Sequence, residues 1–381
     1  MDKLPDQKLK GYLDSVYIMS HSYSTIAAYR IAIVNQNKTG FRDYLQERHN
    51  IDELEFADKV KQEKFDVYAT LRDHVVFLDN KNYKPKSITT RLASIKGYLR
   101  FLGLKIYTED CKHIIKIPKN IREPEVALTK EIILRVLRNV PQRVQTVVLV
   151  LSSSGMRIGE LVQLRLSDVD FITTPTTIRL PAKITKTRQA RETFITAEAT
   201  KSLKDYLSIL LQWNEKQDNS HLDDVIIFGQ DPLCKRKPDR HQKQPTHLSA
   251  EALLMKQLKY YIAKIPDLNK TNHNGIKVIH FHALRKFFRT TVGNVSGRDF
   301  AEALIGHQFY MNTYYQLADE KKREMYLEVE PHLTISDFEA VEKTMKIISA
   351  KNTQLEEKFN DLLQYLKTNS IHVPNNTQIL N

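Results

Sequence analysis

The side chains of this chain that can do chemistry fall in four short clusters of its second half. Gly155-Met156-Arg157-Ile158-Gly159-Glu160-Leu161 follows an apolar segment, Val144 to Leu151, that ends at Ser152-Ser153-Ser154-Gly155. A new helix is predicted to start near Arg157. Arg157 and Glu160, three apart, then share a helix face, where the carboxylate can orient the guanidinium. Lys186 stands in Thr185-Lys186-Thr187, with Arg191 five residues on and strand-like Thr193-Phe194-Ile195 after it. A lysine at such a hairpin tip can reach into a groove and hand a proton to a leaving oxygen. In the run His280-Phe281-His282-Ala283-Leu284-Arg285-Lys286-Phe287-Phe288-Arg289, a helix buries Leu284, Phe287 and Phe288 and presents His282, Arg285 and Arg289 on its other face. Histidine and arginine side by side on an exposed stripe suit phosphate binding. Leu304-Ile305-Gly306-His307 ends a helix predicted from Asp299 to Ile305, with glycine as its stop, eight residues before Tyr315.

Each cluster alone has an ordinary explanation: a surface ion pair, a solvated lysine, a satisfied histidine. His280 and His282, with His273, are also candidates for metal ligation. No acidic or thiolate ligand lies at a recognisable spacing from them, so no metal and no cofactor is expected. Cys111 and Cys234 are too few for a disulfide framework or a four-thiolate zinc site, which fits a reducing, intracellular setting.

The elements that must position these residues follow from periodicity and punctuation. The chain has 381 residues, 41% hydrophobic and 27% charged, and its formal charge is +13. That is length for two or three domains, and a positive excess that suits a nucleic-acid partner. No apolar run approaches the roughly 18 residues of a membrane span, and no secretory signal is apparent at the N-terminus. From about 20 to 115 the chain reads as short amphipathic helices, one capped by Ser24-Thr25, one from Phe41 to Glu47, one from Asp66 to Leu78. Another starts at Ser87, buries Ile88, Leu92, Ile95, Leu99 and Leu102, and shows Arg91, Lys96 and Arg100 on a basic face that can track a phosphate backbone. Residues 116–127 read as a linker, with two prolines, several charges and no periodicity. A second, mostly helical domain follows over 128–335, with a strand pair at Thr177–Leu180 and Thr193–Ile195 and a short strand at Val225–Phe228. The loop beyond that strand is basic, with Lys235, Arg236, Lys237, Arg240 and Lys243. In the tail, 336–381, Val341, Ile348, Leu355 and Leu362 recur every seven residues, interleaved with Met345, Asn352, Phe359 and Leu366. This pattern fits a coiled-coil seam or one helix packed on its own domain.

Taken together, in this order and spacing, the four clusters resemble the tyrosine recombinase (phage integrase) family, whose pattern runs Arg, Lys, His-x-x-Arg, Gly-His, Tyr. The tail beyond Tyr314-Tyr315 looks like archaeal members. The resemblance implies a mainly α fold with a small β-sheet. In it, a helical core-binding domain (1–115) and a catalytic domain form a C-shaped clamp on duplex DNA. It implies cleavage and rejoining through a covalent 3′-phosphotyrosine, in integration or excision of a mobile element or in Xer-like dimer resolution. A type IB topoisomerase-like enzyme or a DNA-binding protein with a decayed site are the other readings.

The roles it implies are chemically coherent. Arg157 and Arg285 clamp the non-bridging oxygens, His307 adds a hydrogen bond, Lys186 is the general acid, and His282 helps accept the tyrosine proton. Tyr315 is the favoured nucleophile, with Tyr314 as the alternative. Phosphate contacts are expected from Arg91, Lys96, Arg100, Arg191, Lys235, Arg236, Lys237 and Arg289. The expected partners are a specific duplex DNA site and further copies in a synaptic tetramer, with no membrane. The expected location is the cytoplasm, on the nucleoid or in the host of a mobile element. The segment before residue 20 looks too short for an additional arm-binding domain.

Overall fold

Three helix starts in the N-terminal half are set by short polar side chains that take up otherwise unpaired backbone N–H groups. In the computed structural model, Ser22 accepts from Thr25 N, Asp52 from Leu54 N and Glu55 N, and Asp66 from Tyr68 N. The described residues are 4–119, 127–215, 225–229, 247–271, 277–307 and 317–336, with positions 354, 355, 358 and 360. The chain divides into two units, Met1–Glu123 and Pro124–Asn381.

The first unit is helical among its described residues: α1 (Leu4–Ser20), α2 (Tyr23–Ile33), α3 (Phe41–His49), α4 (Glu53–Lys61), α5 (Val67–Asn80), α6 (Pro85–Phe101) and α7 (Thr108–Ile114). One apolar cluster gathers Phe41, Leu45, Phe56, Leu71, Ile88 and Ile95. A smaller one joins Leu9, Tyr12 and Val16 of α1 to Ile33 and Tyr98. The expected basic face of α6 needs correction. Arg91 is 8% exposed. It donates to Thr39 O (2.9 Å) and to Tyr83 Oη (3.2 Å), and its guanidinium lies over the Tyr83 ring. It belongs to the core, not to a phosphate-tracking surface. Arg100 is exposed, yet its guanidinium folds back on Ile106 O (3.2 and 2.7 Å), and Lys96 is half-buried.

In the second unit α8 (Lys130–Leu137) precedes α9 (Gln142–Ser154), which is buried on nearly every side and forms the axis of the core. After α10 (Ile158–Leu161) comes an antiparallel sheet in the order β1 (Val169–Asp170), β2 (Thr176–Leu180), β3 (Arg191–Ile195). Its register runs from Thr176 opposite Ile195 to Leu180 opposite Arg191. Then follow α11 (Ala197–Glu215), α12 (His247–Ala263), α13 (Phe281–Val295), α14 (Arg298–Ile305) and α15 (Asp319–Leu333). The mainly helical fold with a small sheet is therefore present. The strand expected at Val225–Phe228 is only a single bridge, Ile226 to Arg165. Ile227 and Phe228 are fully buried, and Phe228 stacks on Tyr206, so core packing rather than pairing along a strand holds this run. The basic loop with Lys235, Arg236 and Lys237 lies outside the described residues, as do Tyr314, Tyr315 and nearly all of the heptad tail.

Candidate active site

The site is built where two helices end. The helix α9 stops at Gly155, whose φ of 64° is left-handed. A Cβ there would lie 2.3 Å from Phe288 Cδ1 and 2.9 Å from Ile305 Cγ2. Backbone conformation and close packing both exclude any other residue. Two residues on, Arg157 is the N-cap of α10, and its backbone N–H donates to Glu160 Oε2 (2.8 Å) while Nη1 donates to Oε1 (3.0 Å). The two therefore pair as the ends of a capping arrangement, not as neighbours along a helix face.

Glu160 is 2% exposed and also receives both terminal nitrogens of Arg191, Nη1 at 3.1 Å and Nη2 at 2.6 Å. Arg191 was expected to meet DNA phosphate; its side chain is 2% exposed and committed to this forked ion pair. The sequence gives no sign of that pairing, which spans 31 residues. These contacts hold Glu160 below the usual carboxylate range although burial pushes it up, with Arg191 the strongest partner and Arg157 next.

The second helix end belongs to α14. A helix leaves its last four carbonyls without intrahelical partners. Here all four are met: Glu302 O by His307 N, Ala303 O by Gly306 N, Leu304 O by Arg191 Nε (3.1 Å) and Ile305 O by Arg285 Nη2 (2.6 Å). The other terminal nitrogen of Arg285, Nη1, donates to Gly155 O (2.5 Å), so one guanidinium ties the ends of α9 and α14 together. Arg285 is 4% exposed, which corrects the expectation that it lies on an exposed stripe of α13 with His282. Burial, then Arg157 and Arg191, push it down to about 9, so it keeps its charge at neutral pH. Gly306, with φ 73°, lies against Arg191; a Cβ would come within 2.7 Å of its Cδ.

Two histidines flank this cationic centre. His282 is exposed in the first turn of α13, and partial burial, then Lys286, Arg285, His280 and Arg157, lower its pKa. His307 follows Gly306, and its Nδ1 lies against Glu302 Oε2. Burial also lowers its pKa, opposed by Glu302 and reinforced by Arg285 and Arg157. Arg157, Arg285, His282 and His307 thus share one field. Lys186 sits exposed on the turn before β3, which Thr185 closes by donating from Oγ1 to Gln189 O (2.9 Å). Among the described residues no hydrogen bond joins Lys186 to the other four. Arg289 donates from Nε to Glu302 Oε1 (2.6 Å), so this expected phosphate contact has a carboxylate partner already. Glu302, 1% exposed, was not singled out by its sequence context. The available signals were its place four residues after Arg298 and five before His307. Among the described residues no cluster of three or more acidic, histidine or cysteine side chains could hold a metal ion.

Comparison with known proteins bears on the family and the fold. The chain is 30% identical over 122 residues to tyrosine recombinase XerA of Pyrococcus furiosus, an alignment spanning 30% of this chain and 41% of that relative. Tyrosine recombinase XerC of Listeria innocua is 21% identical over 334 residues, 84% of this chain and 97% of XerC. The chain thus spans less than half the length of the XerA relative it matches. A lambda integrase dimer bound to a COC′ core site has a similar fold, with a TM-score of 0.50 at 13% identity over 82% of this chain and 98% of that one. Residues 126–321, just over half of the chain, match the Phage integrase family, a span that holds Arg157, Lys186, His282, Arg285 and His307. The chain belongs to the Phage integrase family.

Proposed function

We propose that this protein cleaves and rejoins duplex DNA at specific sites through a covalent 3′-phosphotyrosine bond. One observation carries the reading: Arg157, Arg285, His282 and His307 converge at the joined ends of α9 and α14 with more positive charge than Glu160 and Glu302 neutralise. A phosphodiester under attack develops negative charge on its non-bridging oxygens, and a fixed positive surplus stabilises that charge without reorganisation. In this mechanism Arg157 and Arg285, the latter through the second hydrogen on each terminal nitrogen that already bonds a carbonyl, hold those oxygens, and Lys186 protonates the departing 5′ oxygen. His282, neutral at physiological pH, accepts the tyrosine proton. The phenolic oxygen of Tyr315, with Tyr314 as the alternative, forms the bond to phosphorus. The diester energy is conserved in that bond, and the side chains supply the cations, so the reaction needs neither ATP nor metal.

Integration or excision of a mobile element is our first reading of its role. A Xer-like role is the second, favoured by the alignment along nearly all of XerC. Either role calls for self-association on DNA and action in the cytoplasm, on the nucleoid or in a host cell.

The test is a pool of random-sequence duplexes carrying a nick that lets the short downstream strand diffuse away. Wild type accumulates a protein–DNA adduct that survives boiling in detergent; Tyr315→Phe does not, and Tyr314→Phe does. No adduct from any member of the pool would remove the enzyme reading, and normal trapping by both tyrosine variants would remove the nucleophile assignment.

A further inference from the structure

We propose that Glu302 is a positioning residue that fixes the tautomer of His307 and stabilises its imidazolium, while Arg289 and Arg298 compete for the same carboxylate. The inference rests on the reading that a phosphodiester occupies the site.

The geometry begins at the C-terminal end of α14. The His307 backbone N–H donates to Glu302 O (3.1 Å), which folds the histidine back over the last turn. Its Nδ1 then lies against Glu302 Oε2. That oxygen is buried, accepts no hydrogen bond of ordinary geometry and, among the described residues, is paired only with the His307 ring. The second oxygen, Oε1, receives Arg289 Nε (2.6 Å) and faces Arg289 Nη2 and, at 3.8 Å, Arg298 Nε. The carboxylate is therefore divided, one oxygen for the arginines and one for the histidine.

A carboxylate oxygen against Nδ1 requires that nitrogen to carry the hydrogen. In the neutral ring Nε2 is then a bare lone pair, which repels a phosphate oxygen. Only the imidazolium has a hydrogen on Nε2 to donate. The groups that act on this choice come from every side. Glu302 favours the charged ring; Arg285 of α13 and Arg157 at the start of α10 oppose it, as does burial. Arg289 and Arg298 act through Glu302 by drawing its charge away. An arriving phosphate adds negative charge on the Nε2 side. The ring then takes a proton from solvent, donates from both nitrogens, and returns the proton when the phosphate leaves. A neighbouring carboxylate that orients a histidine and supports its charged form is a general device.

Two variants separate this from a merely structural role, because they move the titration in opposite directions. Glu302→Gln keeps the size of the side chain and removes its charge, so the His307 midpoint should fall by about one pH unit or more. Arg289→Gln frees Glu302 for the histidine, so the midpoint should rise. Histidine ring NMR on the full chain, with His307 assigned by His307→Asn, reads both, and nitrogen shifts should show Nδ1 protonated in the neutral ring. Adding inorganic phosphate should raise the wild-type midpoint. In the adduct assay the high-pH limb should move with each midpoint, to lower pH in Glu302→Gln and higher in Arg289→Gln. If Glu302→Gln fails to fold, Arg289→Gln carries the test. Unmoved midpoints, or a bare Nδ1 in the neutral ring, would overturn the proposal. Midpoints that move as stated in a protein that never forms the adduct would support the Glu302 assignment and sink the recombinase reading instead.

Discussion

In the N-terminal unit Arg42 donates from Nε to both oxygens of Glu53 (3.0 and 2.8 Å), from Nη2 to Oε1 (2.6 Å) and from Nη1 to Asp6 Oδ1 (2.6 Å). One guanidinium faces two carboxylates, and the network closes on itself. In the second unit Arg157 and Arg191 pair with Glu160, Arg289 and Arg298 pair with Glu302, and Arg285 bonds only backbone carbonyls, so five guanidiniums stand beside two carboxylates. Both networks are held mainly by buried acids, with Glu53, Glu160 and Glu302 all below 3% exposed. They differ in the balance. In the first, the one guanidinium meets two carboxylates and no cationic charge is left over. The second leaves cationic charge unmet at the surface of the core, an arrangement that costs stability until an anion arrives. Its orientation is kept by helix-end carbonyls, which bind guanidinium without neutralising it.

The largest expected effects come from removing the acid of each network. Glu160→Gln leaves two guanidiniums, one fully buried, without their carboxylate. It should lower the unfolding free energy by about 3–5 kcal/mol and abolish the covalent adduct even in the folded fraction. Glu53→Gln should cost about 3 kcal/mol, because Arg42 keeps some contact with water, and should leave adduct formation per folded molecule unchanged. Denaturant titration beside the trapping assay checks both. Equal losses of adduct in the two variants would erase the contrast.

A smaller effect separates the units by pH. His74 is fully buried among Phe41, Tyr44 and Phe77, with no hydrogen-bond partner on either ring nitrogen among the described residues, and burial, then Arg91, push it down to about 3. The unfolded chain binds the proton near pH 6.5, where the folded one does not. Stability of the N-terminal unit should therefore fall as pH drops from about 6.5 towards 3, by about 1.4 kcal/mol per pH unit. His74→Phe should flatten that slope. Glu160 behaves differently: its folded pKa is lowered, so its contribution is present above the ordinary carboxylate range and is lost only as pH falls through the lower folded value. Acid should loosen the N-terminal unit first, as hydrogen exchange resolved by segment would report.

The smallest effect concerns α6. Lys96→Ala should reduce the slope of log affinity against log salt by about 0.9, the share of one phosphate contact. Arg91→Ala should leave that slope alone and lower stability, since Arg91 already bonds Thr39 and Tyr83. A change of slope in Arg91→Ala would show that the buried arginine reaches DNA after all.

Most elements were legible because their signals are local. Gly155 and Gly306 stop helices as their types suggest, and the strand pair stands within a residue or two of its expected ends. Other elements were not. The helix α1 carries a weak sequence signal because only Leu9, Tyr12 and Val16 mark its buried side, amid a polar sequence. The cap of α2 is Ser22 rather than Ser24 or Thr25. Arg91 reads as surface because arginine usually is; its burial depends on Tyr83 and Thr39 arriving from other segments.

For the site, the sequence by itself determined which residue types occur and in what order: Arg157, Lys186, His282, Arg285, His307 and the Tyr314/Tyr315 pair. That order was enough to suggest phosphate chemistry, because side-chain charge and donor geometry are properties of the residue. What only the tertiary structure decided was where each charge is directed. Arg191 turned inward to Glu160, Arg285 became the tie between two helix ends, and Glu302 became the partner of His307. These pairings join residues up to 130 positions apart. An unpaired buried carbonyl or carboxylate takes the nearest donor in space, and only the packed chain determines which donor that is.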